Sequence, residues 1–99
     1  MVTKLHRGSG NVFADLGFSA DQARHLEIRS GLMIELSRFI AAHRLTQADA
    51  ARRFGVTQPR VSDLVRGKIE RFSIDSLVAM LGHAGVEVVV STRRRARAG

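Results

Sequence analysis

The 99-residue sequence contains no cysteine, so it forms neither disulfide bonds nor zinc sites with cysteine ligands. It also lacks tryptophan and tyrosine and has only five phenylalanines. A surface that stacks the bases of single-stranded nucleic acid needs several exposed aromatic side chains, so the composition disfavours one. No apolar run approaches the roughly 18 residues of a membrane span, and no charged-then-apolar leader opens the chain. These absences predict a bacterial-type cytoplasmic protein without a membrane partner.

The sequence gives no indication of a catalytic or metal site. The four histidines, His6, His25, His43 and His83, lack the spacing that metal ligands on one helix face require. No serine, histidine and acid are arranged as a nucleophile with its base. We therefore expect a protein that is not an enzyme and that carries no cofactor, and we interpret the histidines as surface or helix-capping residues.

Positive charge is concentrated in two parts of the chain. Sixteen lysines and arginines oppose nine acidic residues, which gives a formal net charge of +7. Residues 44–68 hold six basic and two acidic side chains, and residues 93–99 hold four arginines. This distribution predicts a polyanionic partner, although an anionic membrane surface also fits the charge alone. The Arg93–Arg97 run is either a solvated, disordered tail or an arm that contacts DNA phosphates or the minor groove.

A long helix is predicted from about Ala20 to His43. Ser19 followed by Gln22 is the pattern of a capping box, which starts a helix. Apolar residues then recur every three or four positions, as one buried helix face requires. These apolar residues are Leu26, Leu32, Leu36, Phe39 and Ile40. Residues 1–18 are predicted to form an N-terminal arm, mobile over its first eleven residues, and a short segment that packs on the domain.

Two short helices are predicted next. Thr46 with Asp49 has the pattern of a second capping box, before a helix over Gln47–Phe54 that Gly55 ends.

The second short helix is predicted over Gln58–Arg66, with Thr57 as its N-cap and Gly67 after its end. The only proline of the chain, Pro59, lies in the first turn, where its missing N–H has no intrahelical partner to lose. The proline therefore indicates a helix start.

The C-terminal part is predicted to contain one more helix and a strand. Ser73 caps a helix that runs to about His83, and Gly85 ends it. Residues 86–90, VEVVV, are β-branched and typical of a strand. Because a single strand leaves its backbone groups unpaired, it must pair with the N-terminal segment or with the same strand of a second copy. We expect a domain over residues 19–85 and a dimerisation strand over residues 86–92.

The two short helices fit the geometry of a helix-turn-helix. Close crossing needs a small residue midway along the first helix, where Ala51 stands, and the turn needs a residue that tolerates positive φ, which Gly55 supplies. Apolar residues occupy the required inner positions, namely Ala50, Phe54, Val56, Val61 and Leu64. The alternative is a helix pair used only for packing, which the local charge disfavours.

The outward face of the second short helix carries candidate DNA-binding residues. N-terminal residues of this helix meet base edges in the major groove, and residues around them contact phosphates. Gln58 suits adenine, Pro59 a thymine methyl, and Asp63 cytosine N4, although Asp63 is as well placed to pair with Arg66. The predicted base-reading residues are Thr57, Gln58, Pro59, Ser62 and Asp63. The predicted phosphate-binding residues are Gln47, Arg60, Arg66 and Lys68.

The segment LTQADAARRFGVTQPRVSDLVRG resembles the Xre/Cro superfamily of phage-repressor-like DNA-binding domains. The wider frame is similar to HigA-like antitoxins, through GNVFADLGF, RSGLMIELSRFIAAHRLTQ, GKIERFSIDSLVAML and GVEVVV in that order. The resemblance covers about residues 10–91. It implies a mainly α, compact domain of four to five helices with a short C-terminal β-strand.

The resemblance also implies a homodimer that binds a palindromic operator in double-stranded DNA and represses its own operon. In many relatives the protein also neutralises a RelE-like toxin. The alternative is a solitary Xre-family repressor without a toxin partner. Many members carry a second polar base-reading residue where Pro59 stands, so part of the specificity is expected to come from DNA shape.

Overall fold

A computed structural model describes the backbone of residues 2–4 and all of residues 16–94. The described part contains two strands, four α-helices and one 3₁₀ turn. Their bounds are β1 Val2–Lys4, α1 Ala20–Ala42, α2 Gln47–Phe54, α3 Gln58–Val65, the 3₁₀ turn Ile69–Arg71, α4 Ile74–His83 and β2 Glu87–Val89. The mainly α fold with a short C-terminal strand is confirmed. No helix within the described ranges is both long and apolar enough to cross a membrane.

Helix α1 begins and ends where capping chemistry predicts. The hydroxyl of Ser19 accepts a hydrogen bond from the Gln22 N–H at 3.2 Å, and the Gln22 side chain accepts one from the Ser19 N–H at 3.2 Å. At the other end, His43 is the C-cap, and its N–H donates to the Phe39 carbonyl at 3.0 Å. The next residue, Arg44, has a φ of 53°, which turns the chain towards α2.

One hydrophobic core joins all four helices. Its largest fully buried side chains are Leu32, Leu36, Phe54, Val61, Leu64, Leu77 and Leu81. Burial of one such side chain contributes roughly 1.5–3 kcal/mol to folding. Because α1, α2, α3 and α4 each contribute to this core, packing fixes the orientation of α3 relative to the rest of the domain.

The two strands bring the ends of the chain together. β1 and β2 pair in parallel, with Val2 opposite Glu87 and Lys4 opposite Val89. This pairing is one of the two alternatives that the sequence left open for VEVVV. The expectation of a mobile arm is wrong for residues 2–4, which pair with β2. This part of the sequence has no apolar periodicity, so no pattern predicted a strand there. Residues 5–15, with the first part of the expected packing segment, and residues 95–99 of the basic tail lie outside the described part.

Helix α3 begins at Gln58 as predicted, but its end and its N-terminal capping differ from the prediction. It ends at Val65, with Arg66 as the C-cap, instead of including Arg66. Thr57 occupies the N-cap position, but its side chain makes no capping hydrogen bond. The predicted boundary is therefore right to within one residue, whereas the expected capping interaction of Thr57 is wrong.

Candidate nucleic-acid interface

The turn between α2 and α3 has the conformation that the helix-turn-helix prediction requires. Gly55 adopts a left-handed conformation with φ 68° and ψ 33°, and its N–H donates to the Ala51 carbonyl. A Cβ atom at this position would lie 3.1 Å from ring atoms of His83, at the end of α4. Glycine is therefore favoured both by backbone conformation and by space. His83 borders the turn, and no sequence pattern predicts this contact.

The inner faces of α2 and α3 are buried as predicted. Ala50, Phe54 and Val61 have no exposed surface, and Leu64 and Ala51 are 2% and 8% exposed. Val56, in the turn, is half-buried and packs against the same core. With these positions fixed inward, the remaining face of α3 points away from the core.

The N-terminal end of α3 presents three of the predicted base-reading residues. Thr57, Gln58 and Pro59 are consecutive and exposed, and Ser62 follows one turn later, half-buried. Because the Thr57 side chain makes no capping hydrogen bond, α3 itself does not use the hydroxyl. The structure therefore brings together a hydroxyl, an amide and a proline ring at the start of α3.

Asp63 forms an ion pair that the sequence did not predict. Its carboxylate accepts a hydrogen bond from Nη1 of Arg71 at 3.0 Å, and only 18% of the Asp63 side chain is exposed. The alternative partner weighed from the sequence, Arg66, stands at the C-cap and is not the residue that pairs with it. Asp63 therefore already has a cationic partner, and reading a cytosine would require that partner to be displaced.

Arg60 is also engaged within the protein. Its guanidinium carbon lies 4.2 Å from the centre of the Phe72 ring, and its Nη1–H donates to the Arg71 carbonyl at 2.7 Å. A cation–π contact of this kind contributes about 0.5–2 kcal/mol, depending on how far the cation is desolvated. The expected phosphate contact of Arg60 competes with these two interactions.

The other predicted phosphate-binding residues lie around α3. Gln47 is exposed at the first position of α2, Arg66 is exposed after α3, and Lys68 is half-buried before the 3₁₀ turn. Sequence reasoning missed Arg71, which also lies beside α3 through its bond to Asp63. The two residues are eight positions apart with a turn between them, whereas side chains that pair on one helix are three or four positions apart, so no periodicity marks the pair.

Local electrostatics at α2 lower the pKa of one carboxyl group, that of Asp49. The Thr46 hydroxyl accepts a hydrogen bond from the Asp49 N–H at 3.1 Å. Hydrogen bonds from the Thr46 side chain and backbone, together with the Arg52 guanidinium, hold the pKa of Asp49 below its ordinary value of 3.8. Between residues 16 and 94, no three histidine or acidic side chains cluster as metal ligands would.

Comparisons with known proteins identify the family. The sequence profile of the "Helix-turn-helix domain" family matches residues 12–93. A solved structure described as "Putative XRE Family Transcriptional Regulator" is 36% identical in sequence and superposes with a TM-score of 0.67, covering 79% of this chain and 90% of its own. No curated protein matches the chain. The chain therefore belongs to the helix-turn-helix domain family, in the Xre-type superfamily, and this family and fold are those of DNA-binding transcriptional regulators.

Proposed function

We propose that this protein is a sequence-specific repressor that binds a palindromic operator as a homodimer and regulates its own operon. The observation that carries the proposal is the two-sided character of α3. Val61 and Leu64 on one side of α3 are buried in the core. Thr57, Gln58 and Pro59 are exposed at its N-terminal end, which is the end that enters a major groove in this motif.

Base reading is assigned to a short set of residues. The Gln58 amide suits a bidentate contact to adenine, the Pro59 ring suits a thymine methyl, and the Thr57 and Ser62 hydroxyls accept or donate to either base type. Gln47, Arg66 and Lys68 are assigned to phosphates. With Asp63 already paired, direct readout rests on few groups, so DNA shape is expected to supply part of the specificity.

The operator-binding proposal is tested with duplex DNA from the region upstream of the coding sequence. Fluorescence anisotropy should show tighter binding to this duplex than to a shuffled duplex of equal composition. A dimer with 6–10 phosphate contacts should lose about 10³–10⁵-fold in affinity between 50 and 200 mM salt. Binding that hardly responds to salt, or that does not distinguish the duplexes, would contradict the proposal.

Dimerisation is assigned to the strand β2. A homodimer on a palindrome must hold its two reading helices about 34 Å apart, which is one turn of DNA. Among the described residues, β1 covers one edge of β2 and no strand lies along the other, so we assign that other edge to pairing with a second copy. Removal of residues 87–99 keeps the buried Val86 and should give a monomer by light scattering. A truncated protein that remains dimeric would exclude this pairing.

A second role as an antitoxin is proposed from the wider resemblance. The candidate toxin-binding surface is the N-terminal segment and the outer side of α1. An open groove of about 990 Å³ adjoins it. Apolar side chains of Phe18, Leu26 and Ile74 line this groove together with polar and charged ones, among them Asp21, Glu70 and Arg71. The partner proposed is a RelE-like toxin, and the complex would be cytoplasmic and associated with the nucleoid when bound to DNA.

The adjoining reading frame separates the antitoxin from a solitary repressor. If the neighbouring gene encodes a toxin, its tagged product should arrest growth when expressed alone. Co-expression of this chain should relieve the arrest, and this chain should co-purify with the tagged protein. Failure to co-purify, together with operator binding that persists, would support the solitary repressor. The duplex-binding assay is run with and without the neighbouring protein, so that operator binding and partner binding are measured on the same sample.

A further inference from the structure

The 3₁₀ turn Ile69–Arg71 is held from two sides. From α1, Nη1 of Arg29 donates to the carbonyls of Ile69 at 3.3 Å and Phe72 at 3.4 Å. From α3, Nη1 of Arg60 donates to the Arg71 carbonyl at 2.7 Å. Because hydrogen bonds reach this short segment from both helices, the backbone of Arg71 has a fixed position beside α3.

The Arg71 side chain is held as well. Its Nη1 lies 3.0 Å from Oδ1 of Asp63, which is one turn further along α3 than Arg60. The Arg71 side chain is 54% exposed, whereas that of Asp63 is only 18% exposed. A guanidinium carries five N–H donors, and the bond to Asp63 uses one of them. The pair therefore presents a positioned, partly exposed cation next to α3.

We propose that Arg71 is a phosphate-binding residue of the DNA interface and that Asp63 is its positioning residue. The proposal rests on the proposed DNA-binding function and adds a contact that sequence spacing does not indicate. An unrestrained arginine loses side-chain conformational entropy when it is ordered on a ligand. Asp63 orders Arg71 before DNA arrives, so less of that entropy is lost on binding.

A phosphate is the expected ligand because of where Arg71 stands. Base edges are met by the N-terminal residues of α3, whereas residues that flank this helix meet the DNA backbone. Arg71 is the last residue of the 3₁₀ turn that follows α3. A partly exposed ion pair by itself contributes little to stability, so a large effect of Arg71 on DNA affinity would not follow from folding alone.

The test compares variants on two duplexes, the 30-base-pair region upstream of the coding sequence and a shuffled version of it. Arg71→Ala should weaken binding to both duplexes by about tenfold per subunit. The slope of log affinity against log salt should fall in magnitude by about 0.9 per subunit, because one phosphate contact is lost. Arg71→Lys keeps the charge and should keep the wild-type salt slope. Arg71→Gln removes the charge and should reduce the magnitude of the slope as much as Arg71→Ala does. These two variants carry the test if the alanine variant does not fold.

Arg38→Ala is the matched control. Arg38 is an exposed arginine of α1 whose Nη1 lies 3.5 Å from Glu35, so its removal also breaks an arginine–carboxylate pair. It should leave the salt slope unchanged. Thermal denaturation of every variant shows whether the folded state is retained at the assay temperature.

The role of Asp63 is tested by a double-mutant cycle. Asp63→Asn should weaken DNA binding in the wild-type background, although it removes a negative charge near DNA. In the Arg71→Ala background the same change should leave affinity unchanged or raise it. If Asp63→Asn raises affinity equally in both backgrounds, Asp63 does not position Arg71.

The remaining outcomes separate this inference from the proposed function. Wild-type protein that binds neither duplex contradicts the DNA-binding proposal itself. Wild-type binding with a normal salt slope that Arg71→Ala and Arg71→Gln leave unchanged overturns only the Arg71 assignment. A loss confined to the upstream duplex would show base reading in place of a phosphate contact and would also overturn it.

Discussion

Replacement of Gly55 by alanine should destabilise the protein for two separate reasons. The left-handed conformation at φ 68° costs an alanine roughly 1–2 kcal/mol. The new Cβ would also lie 3.1 Å from the His83 ring, and displacing that ring from its rotamer costs about 0.5–1.5 kcal/mol. Alanine restricts the unfolded chain, which returns about 0.4–1 kcal/mol. The net loss in the free energy of unfolding should be about 2 kcal/mol, within a range of roughly 0.5–3.

Chemical and thermal denaturation measure this loss. A change of about 2 kcal/mol corresponds to a fall of roughly 8–16 °C in the melting temperature of a domain of this size. Operator affinity measured well below the melting temperature should change by less than the free energy of unfolding does, because in the folded protein the core still fixes the orientation of α3.

A double-mutant cycle isolates the contact with His83. The double variant Gly55→Ala/His83→Ala should be less destabilised than the sum of the single variants by about 0.5–1.5 kcal/mol. Arg44→Gly is the matched control for backbone strain, because Arg44 also has a positive φ, of 53°. That change should stabilise the protein by up to about 1 kcal/mol. Strictly additive effects at positions 55 and 83 would refute the steric part of the reasoning.

Three further predictions concern reading, packing and pH. Gln58→Ala should cost about 1–3 kcal/mol on the upstream duplex and little on the shuffled one, as measured by anisotropy; an equal loss on both would assign Gln58 to the DNA backbone. Phe54→Ala should cost about 3–5 kcal/mol of unfolding free energy in urea titrations, because Phe54 is fully buried in the core. The lowered pKa of Asp49 means that its ionised form stabilises the folded state above the ordinary pKa of 3.8, and this contribution is lost as the pH falls through the lowered pKa. Urea titrations at decreasing pH should therefore show the stability difference between wild type and Asp49→Asn shrinking in acid, and a constant difference would contradict the assignment.

Local signals in the sequence were sufficient to predict the helices and to predict which face of the helix-turn-helix is buried and which is exposed. Capping residues such as Ser19 and Ser73 mark helix starts because they act on N–H groups only three positions away. The inner face of the helix-turn-helix follows from helical spacing, and the turn conformation follows from Gly55. The exposed end of α3 follows in turn, since fixing one face of a helix determines the other.

The contacts that the sequence did not predict join residues without a periodic relation. Arg71 meets Asp63 and Arg60 across a turn, and His83 meets Gly55 from another helix. An arginine has many possible acidic partners at the sequence level, and only the packed backbone selects one of them. Pairing of residues 86–90 with the N-terminal segment was one of the two alternatives, but the position of the strand Val2–Lys4 was not predicted, because three residues are too few to show alternation.

The parallel pairing of β1 with β2 has a consequence for the order of events during synthesis. Val2 leaves the ribosome 85 residues before its partner Glu87. At roughly 5–20 residues per second, about 4–17 s pass between the two events. Every buried core residue of the described part, Val86 included, precedes Glu87 in the chain and is therefore synthesised before β1 can gain its partner. Joining of the chain ends is thus the last of these steps open to the chain, and a protein truncated before Glu87 would keep every buried core residue while Val2–Lys4 lacks its partner strand.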